Sequence, residues 1–131
     1  MIIRPALITA ALAVLAFSAA SAAETSVESE PEATIEYLLA HVATSDRQFV
    51  RNGKTHSGAE AVKHMRRKYD HYADRIHSPE EFIEFAATKS MMSGKPYMVR
   101  NADGEIPTAE WLHEVLVDYR AAREGHSGGS K

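Results

Sequence analysis

The chain contains no cysteine, so disulfides, thiol nucleophiles and Cys-based metal sites are excluded, as is lipid attachment through a lipobox cysteine. Its stability must come from packing, caps and hydrogen bonds, or from a partner. It also lacks any excess of base: 15 Lys and Arg stand against 18 Asp and Glu, a formal charge of −3. A general nucleic-acid binder needs a basic footprint to displace phosphate counterions, which sets that class aside. A spanning helix wants about 20 apolar residues. The apolar run Ala6–Ala20, interrupted by Thr9 and Ser18, falls short of that. There is no Gly-x-Ser-x-Gly nucleophile elbow, no glycine-rich phosphate loop ahead of a lysine and no His-Glu metalloprotease motif. No internal repeat breaks the chain into smaller units.

What is present begins with an address. Arg4, the apolar run and the small residues Ser21-Ala22-Ala23 together read as a secretory signal peptide over residues 1–23, with cleavage expected after Ala23. Cleavage would leave 108 residues with 14 bases against 18 acids, a formal charge of −4. The expected product is a periplasmic protein with no membrane insertion. A Ser/Glu-rich leader over 24–30 and a Gly/Ser-rich tail over 124–131 are expected to be disordered. One α+β domain over 31–123 remains, long enough for a single core.

Helix-start grammar recurs along this domain. Ser29 with Glu32 and Ser57 with Glu60 have capping-box spacing, and Ser78-Pro79-Glu80-Glu81 pairs a capping serine with a first-turn proline and acids. Ile35, Leu38, Leu39 and Val42 predict a helix over 31–44. Val62, Met65, Tyr69, Tyr72 and Ile76 predict a second over about 58–74, and Phe82, Ile83 and Ala86 mark a third. Asn52-Gly53 supplies the positive φ angles of a type I′ hairpin between short arms at Phe49 and His56. A second hairpin is expected from Tyr97–Arg100 through Asn101-Ala102-Asp103-Gly104 to Ile106, with Pro107 confining that arm to an edge. Thr108 then caps a last helix carrying Trp111, Leu112, Val115, Leu116 and Tyr119. The predicted order is α-β-β-α-α-β-β-α, with about four helices packed on a small antiparallel sheet of two hairpins.

Four blocks carry a resemblance: Phe49-Val50-Arg51-Asn52-Gly53, Ala61–Tyr69, Lys89-Ser90 with Ser93-Gly94-Lys95-Pro96-Tyr97, and Glu110-Trp111-Leu112. In order and spacing they resemble the YfeK-like proteins, the family filed as domain of unknown function 5329. The resemblance runs from about Ile35 to Tyr119. It implies a small exported protein of a Gram-negative bacterium and brings no activity, ligand or cofactor with it. Some similar sequences place a cysteine just before the first strand, where this chain has Asp46, so no thiol role transfers.

The most suggestive surface is a second stripe on helix 2. His64, Lys68, His71 and Arg75 recur at helical spacing, widened by Lys63, Arg66 and Arg67. From Ala59 to Ile76 the bases outnumber the acids five to three in a chain that is acidic overall. Such a face suits an anionic ligand or an acidic envelope protein. Its ordinary reading is a solvated helix face on which Asp70 and Asp74 partly pair the bases. The candidate binding residues are Arg51, His64, Arg67, Lys68, His71, Arg75 and Lys95, and the expected function is a non-enzymatic binding or interaction module. The alternative is a small envelope hydrolase using His64 with Lys68 or Ser93. The seven histidines include no i, i+4 pair, and His64 and His71 stand about 10 Å apart along a helix, so neither a metal nor another cofactor is expected. Ser93-Gly94-Lys95 reads as a turn, and Tyr97 and Trp111 as core aromatics.

Overall fold

The structure, a computed structural model, describes residues 30–127. The expected signal peptide, the leader up to residue 29 and residues 128–131 lie outside the described residues. The elements are α1 (Pro31–Thr44), β1 (Gln48–Arg51), β2 (Lys54–His56), α2 (Gly58–His71), α3 (Pro79–Ala86), β3 (Met98–Asn101), β4 (Gly104–Pro107) and α4 (Thr108–Ser127). This is the expected α+β order, four helices with a four-stranded antiparallel sheet.

Local chemistry explains most of the boundaries. Ser57 and Glu60 close a reciprocal capping box at the start of α2, the Ser57 hydroxyl accepting from the Glu60 amide at 3.2 Å. Ser78 caps α3 by accepting from the Glu81 amide at 3.1 Å, with Pro79 in the first turn. Asn52 and Gly53 take φ angles of 51° and 77°, the pair of positive values a type I′ hairpin needs. At α1 the N-cap is Glu30, whose side chain makes no capping hydrogen bond; Ser29 of the expected Ser29–Glu32 box lies outside the described residues.

Two expectations are corrected. Helix α2 ends at His71 rather than near 74, because the chain tightens at Tyr72, whose carbonyl accepts from both Arg75 and Ile76. That turn tucks Ile76 into the core and leaves Arg75 off the helix. Thr108 does not cap α4. Strand β4 runs into the helix without an intervening residue; the Thr108 amide donates to the Tyr97 carbonyl at 2.8 Å, and its side chain is turned fully inward. At its other end, α4 continues to Ser127, into the stretch expected as tail.

The strands lie in the order β2-β1-β3-β4, so hairpins from opposite ends of the domain meet along β1 and β3. Phe49 pairs with His56 on one side and Val99 on the other, and Val99 pairs with Ile106. Alternation then puts Arg51 and Tyr97 on the same face as Phe49 and Val99. That face meets the helices: Phe49 and Val99 join Leu38, Leu39, Val42, Phe82, Ile83 and Leu112 in one buried cluster. The opposite face carries a polar row, with Arg100 donating to Glu105 at 2.8 Å and to Gln48 at 3.2 Å. Helix α2 packs closely on α1, where a Cβ added at Gly58 would stand 2.2 Å from the Val42 carbonyl oxygen.

Candidate functional site

Alternation on the sheet and the i, i+4 spacing on α2 converge at one place. Arg51, the last residue of β1, and Tyr97, just before β3, project toward α2, which presents His64 and Lys68 one turn apart. Arg51 Nη1 donates to His64 Nδ1. Arginine has no acceptor, so Nδ1 must accept and the proton of the neutral ring sits on Nε2. Nε2 then donates to the Tyr97 hydroxyl at 2.9 Å, and Lys68 Nζ donates to the same oxygen at 3.2 Å. With both its lone pairs used, Tyr97 keeps its own proton free to donate.

The electrostatics agree with this arrangement. Burial, reinforced by the charges of Arg51, Lys68 and Arg67, holds His64 down at about 4, so its ring is neutral at neutral pH. Burial and Arg51 also lower Lys68 from its usual value, while burial raises Tyr97. Lys68 further donates to the Lys89 carbonyl at 2.7 Å, tying α2 to the loop between α3 and β3. The tip of the first hairpin holds the same loop: Ser93 donates to Asn52 Oδ1 at 2.6 Å, and Asn52 Nδ2 donates to Ser90 at 3.4 Å.

Between these elements opens a cleft of about 650 Å³, lined by Arg51, Arg67, Lys68, His71 and Tyr97 among others, with no Asp or Glu in its lining. Among the described residues no ion pair reaches Arg51, Arg67 or Lys68. A smaller cavity of about 240 Å³ shares Arg51, His64, Arg67 and Tyr97 with the cleft. Its other walls include Phe49, Ala61, Met65, His56 and Thr108. His56 Nε2 and Thr108 Oγ1 are themselves fully buried and have no hydrogen-bond partner among the described residues. A buried polar atom left unpaired costs about 1–3 kcal/mol.

Four of the seven binding candidates, Arg51, His64, Arg67 and Lys68, are thus gathered around one space, and His71 lines the cleft beside them. Arg75 and Lys95 are exposed and outside both linings. Arg66 faces another way and pairs with Glu36 of α1 at 2.7 Å, so the basic stripe divides between a cleft and a helix seam. Ser93 does not meet His64: its hydroxyl is bonded to Asn52, and both ring nitrogens of His64 are engaged. Among the described residues no three His, Asp or Glu side chains come together as a metal site.

The family model for the family of unknown function DUF5329 matches residues 29–120. The chain belongs to this family. One similar protein is the uncharacterized protein YfeK of Salmonella typhimurium, 42% identical over 72 residues that cover 54% of this chain and 60% of the relative. The chain therefore spans about 60% of the length of that relative. No solved structure matches it. The family match covers every cleft residue of this DUF5329 domain and assigns a function to none of them.

Sequence reasoning placed Tyr97 in the core and treated His56 as one histidine among seven. Tyr97 is buried, yet its hydroxyl is the acceptor on which His64 and Lys68 converge. The available signal was its position: two residues before the inward Val99, Tyr97 shares that residue's face. Thr108 had no such signal, because its inward turn depends on β4 passing straight into α4.

Proposed function

We propose that this protein is an exported, periplasmic, non-enzymatic module that binds an anionic ligand in the cleft between the first hairpin, α2 and the loop before β3. One observation carries the reading: Arg51, Arg67 and Lys68 line a cleft that no carboxylate lines, and no ion pair among the described residues reaches them. Clustered cations repel one another, and an anion between them relieves that repulsion. The neutral His64 positions Arg51 and Tyr97 without adding another charge. The occupied nitrogens of His64 and the Asn52-held hydroxyl of Ser93 favour binding over hydrolysis. The run Arg4–Ala23 supports the periplasmic address.

The test is NMR titration of the mature chain with inorganic phosphate and with acetate. Signals of His64 and Tyr97 are expected to shift in a salt-sensitive manner. Arg67→Gln should weaken the response about tenfold, while Arg66→Gln, whose guanidinium pairs with Glu36, should leave it unchanged. No response to either anion, or equal losses in both variants, would remove the cleft as the site. For the address, the exported form should begin at Glu24 in a periplasmic fraction; an uncleaved cytoplasmic product would refute it.

A further inference from the structure

The loop between α3 and β3 puts two adjacent apolar side chains into water at the rim of the cationic cleft. Met91 is 68% exposed and Met92 97%, and both line the cleft. The turn that bears them is firmly tied. The Gly94 amide donates to the Ser90 carbonyl at 2.8 Å, and the buried Ser90 hydroxyl accepts from the Met92 amide at 3.3 Å. Ser93 is anchored on Asn52 of the first hairpin, and Lys68 of α2 holds the Lys89 carbonyl. These bonds fix the backbone of the turn and leave both thioether chains outside the fold, where water disfavours them. The other large exposed hydrophobics among the described residues are not paired in this way. Tyr37 stacks on Tyr119, and Val117 lies beside Glu114 and Asp118 on α4.

The charge around the turn is of one sign. No Asp or Glu occurs between Asp46 and Glu60, nor between Glu84 and Asp103, in a chain that has 18 of them. Those two stretches contain the first hairpin and the methionine turn, and they bring Arg51, Lys54, Lys89 and Lys95. Helix α2 adds Arg67 and Lys68 to the cleft wall, while Asp70 and Asp74 lie outside the lining. Lys89 and Lys95 stand at the feet of the turn, where Lys89 bridges to Pro96 and the Ser90 amide donates to the Lys95 carbonyl at 3.0 Å. Acids are exposed on other elements, as at Glu110, Glu114 and Asp118 of α4. An acidic molecule with its bases gathered in this way turns them toward an anionic surface.

From tip to base the turn is apolar and then cationic. A lipid surface offers the matching layers, acyl chains beneath a plane of headgroup phosphates. A protein partner is a poorer match, because a stable interface buries about 800 Å² on each side and two unbranched side chains supply little of that. We infer that this protein docks on a lipid surface bearing anionic headgroups, with Met91 and Met92 entering the interface and a headgroup phosphate seated among Arg51, Arg67 and Lys68. This rests on the reading of the cleft as an anion site and names what presents the anion. The contact is peripheral: among the described residues no helix is long and apolar enough to cross a membrane.

Sedimentation of the mature chain with lipid vesicles tests it. Phosphatidylcholine vesicles containing about one part in four of phosphatidylglycerol should carry the protein down, and phosphatidylcholine alone should not. Binding should weaken about tenfold or more as salt rises from about 0.05 M to about 0.5 M. Met91→Ser combined with Met92→Ser should weaken vesicle binding about tenfold and leave the NMR response to inorganic phosphate unchanged. Arg67→Gln should weaken both, and Val117→Ser, an exposed apolar residue on α4, should change neither. If inorganic phosphate binds but the anionic vesicles do not, the lipid surface is overturned while the anion cleft stands, with a soluble anion or an acidic protein as its occupant. Equal binding to both kinds of vesicle, or undiminished binding of the double methionine variant, also overturns the inference. If neither phosphate nor vesicles bind, both readings fall.

Discussion

His64 uses both ring nitrogens inside the fold, one accepting from Arg51 and the other donating to Tyr97. The arrangement needs a neutral ring, which burial and the surrounding cations enforce by holding its pKa at about 4. An unfolded histidine titrates near 6.5. Between these values the unfolded chain binds a proton that the folded chain does not, so falling pH favours unfolding. The stability contributed by keeping His64 neutral is complete above about 6.5 and is lost as pH falls toward 4. His64→Gln can accept from Arg51 and donate to Tyr97 without titrating. The unfolding temperature of the wild type should therefore fall relative to His64→Gln as pH is lowered from 7.5 to 4.5. Parallel curves for the two proteins would show that the ring is not held neutral. The stripe on α2 is legible in the sequence because i, i+4 spacing is local. The depressed titration is not, since Arg51 comes from a strand 13 residues away.

Between elements, the tightest constraint is where α2 starts. Gly58 lies against the end of α1, and the Val42 carbonyl oxygen occupies the place a Cβ would need. A glycine in a helix normally gains about 1 kcal/mol on replacement by alanine. Here the sign should reverse, and Gly58→Ala should destabilise the protein by about 1–3 kcal/mol as an overpacked contact, measurable by urea denaturation. Nothing in the sequence marks Gly58, because the Ser57–Glu60 box makes a helix there whatever α1 does. A second junction is the loop before β3, held by Lys68 on its Lys89 carbonyl and by Asn52 on Ser90 and Ser93. Lys68→Met should speed hydrogen exchange at the Ser90 and Tyr97 amides, which bond within that loop, and leave the amides of α1 unchanged. Equal protection in wild type and variant would mean the lysine does not hold the loop.

The described residues share one core, drawn from all four helices and the inner face of the sheet. Phe82 is fully buried there and meets Tyr69 edge-on at 5.5 Å between ring centroids. Phe82→Ala should cost about 3–5 kcal/mol, a large share of the ~5–15 kcal/mol that holds a domain together. Helical and aromatic circular dichroism should be lost together in one transition, since no second core exists among the described residues to survive alone. Element order, the Asn52-Gly53 hairpin, the Ser57 and Ser78 caps and independence from disulfides were all determined by sequence. Each is a local or compositional property, set by residues a few positions apart. The place where α2 stops and the inward turn of Thr108 were decided by packing, which drew Ile76 into the core and ran β4 directly into α4. The cleft itself was decided only by tertiary structure. Its residues come from β1, α2 and the approach to β3, and they meet because β1 lies beside β3 in the sheet. That pairing joins segments about 50 residues apart, a separation across which no spacing rule operates.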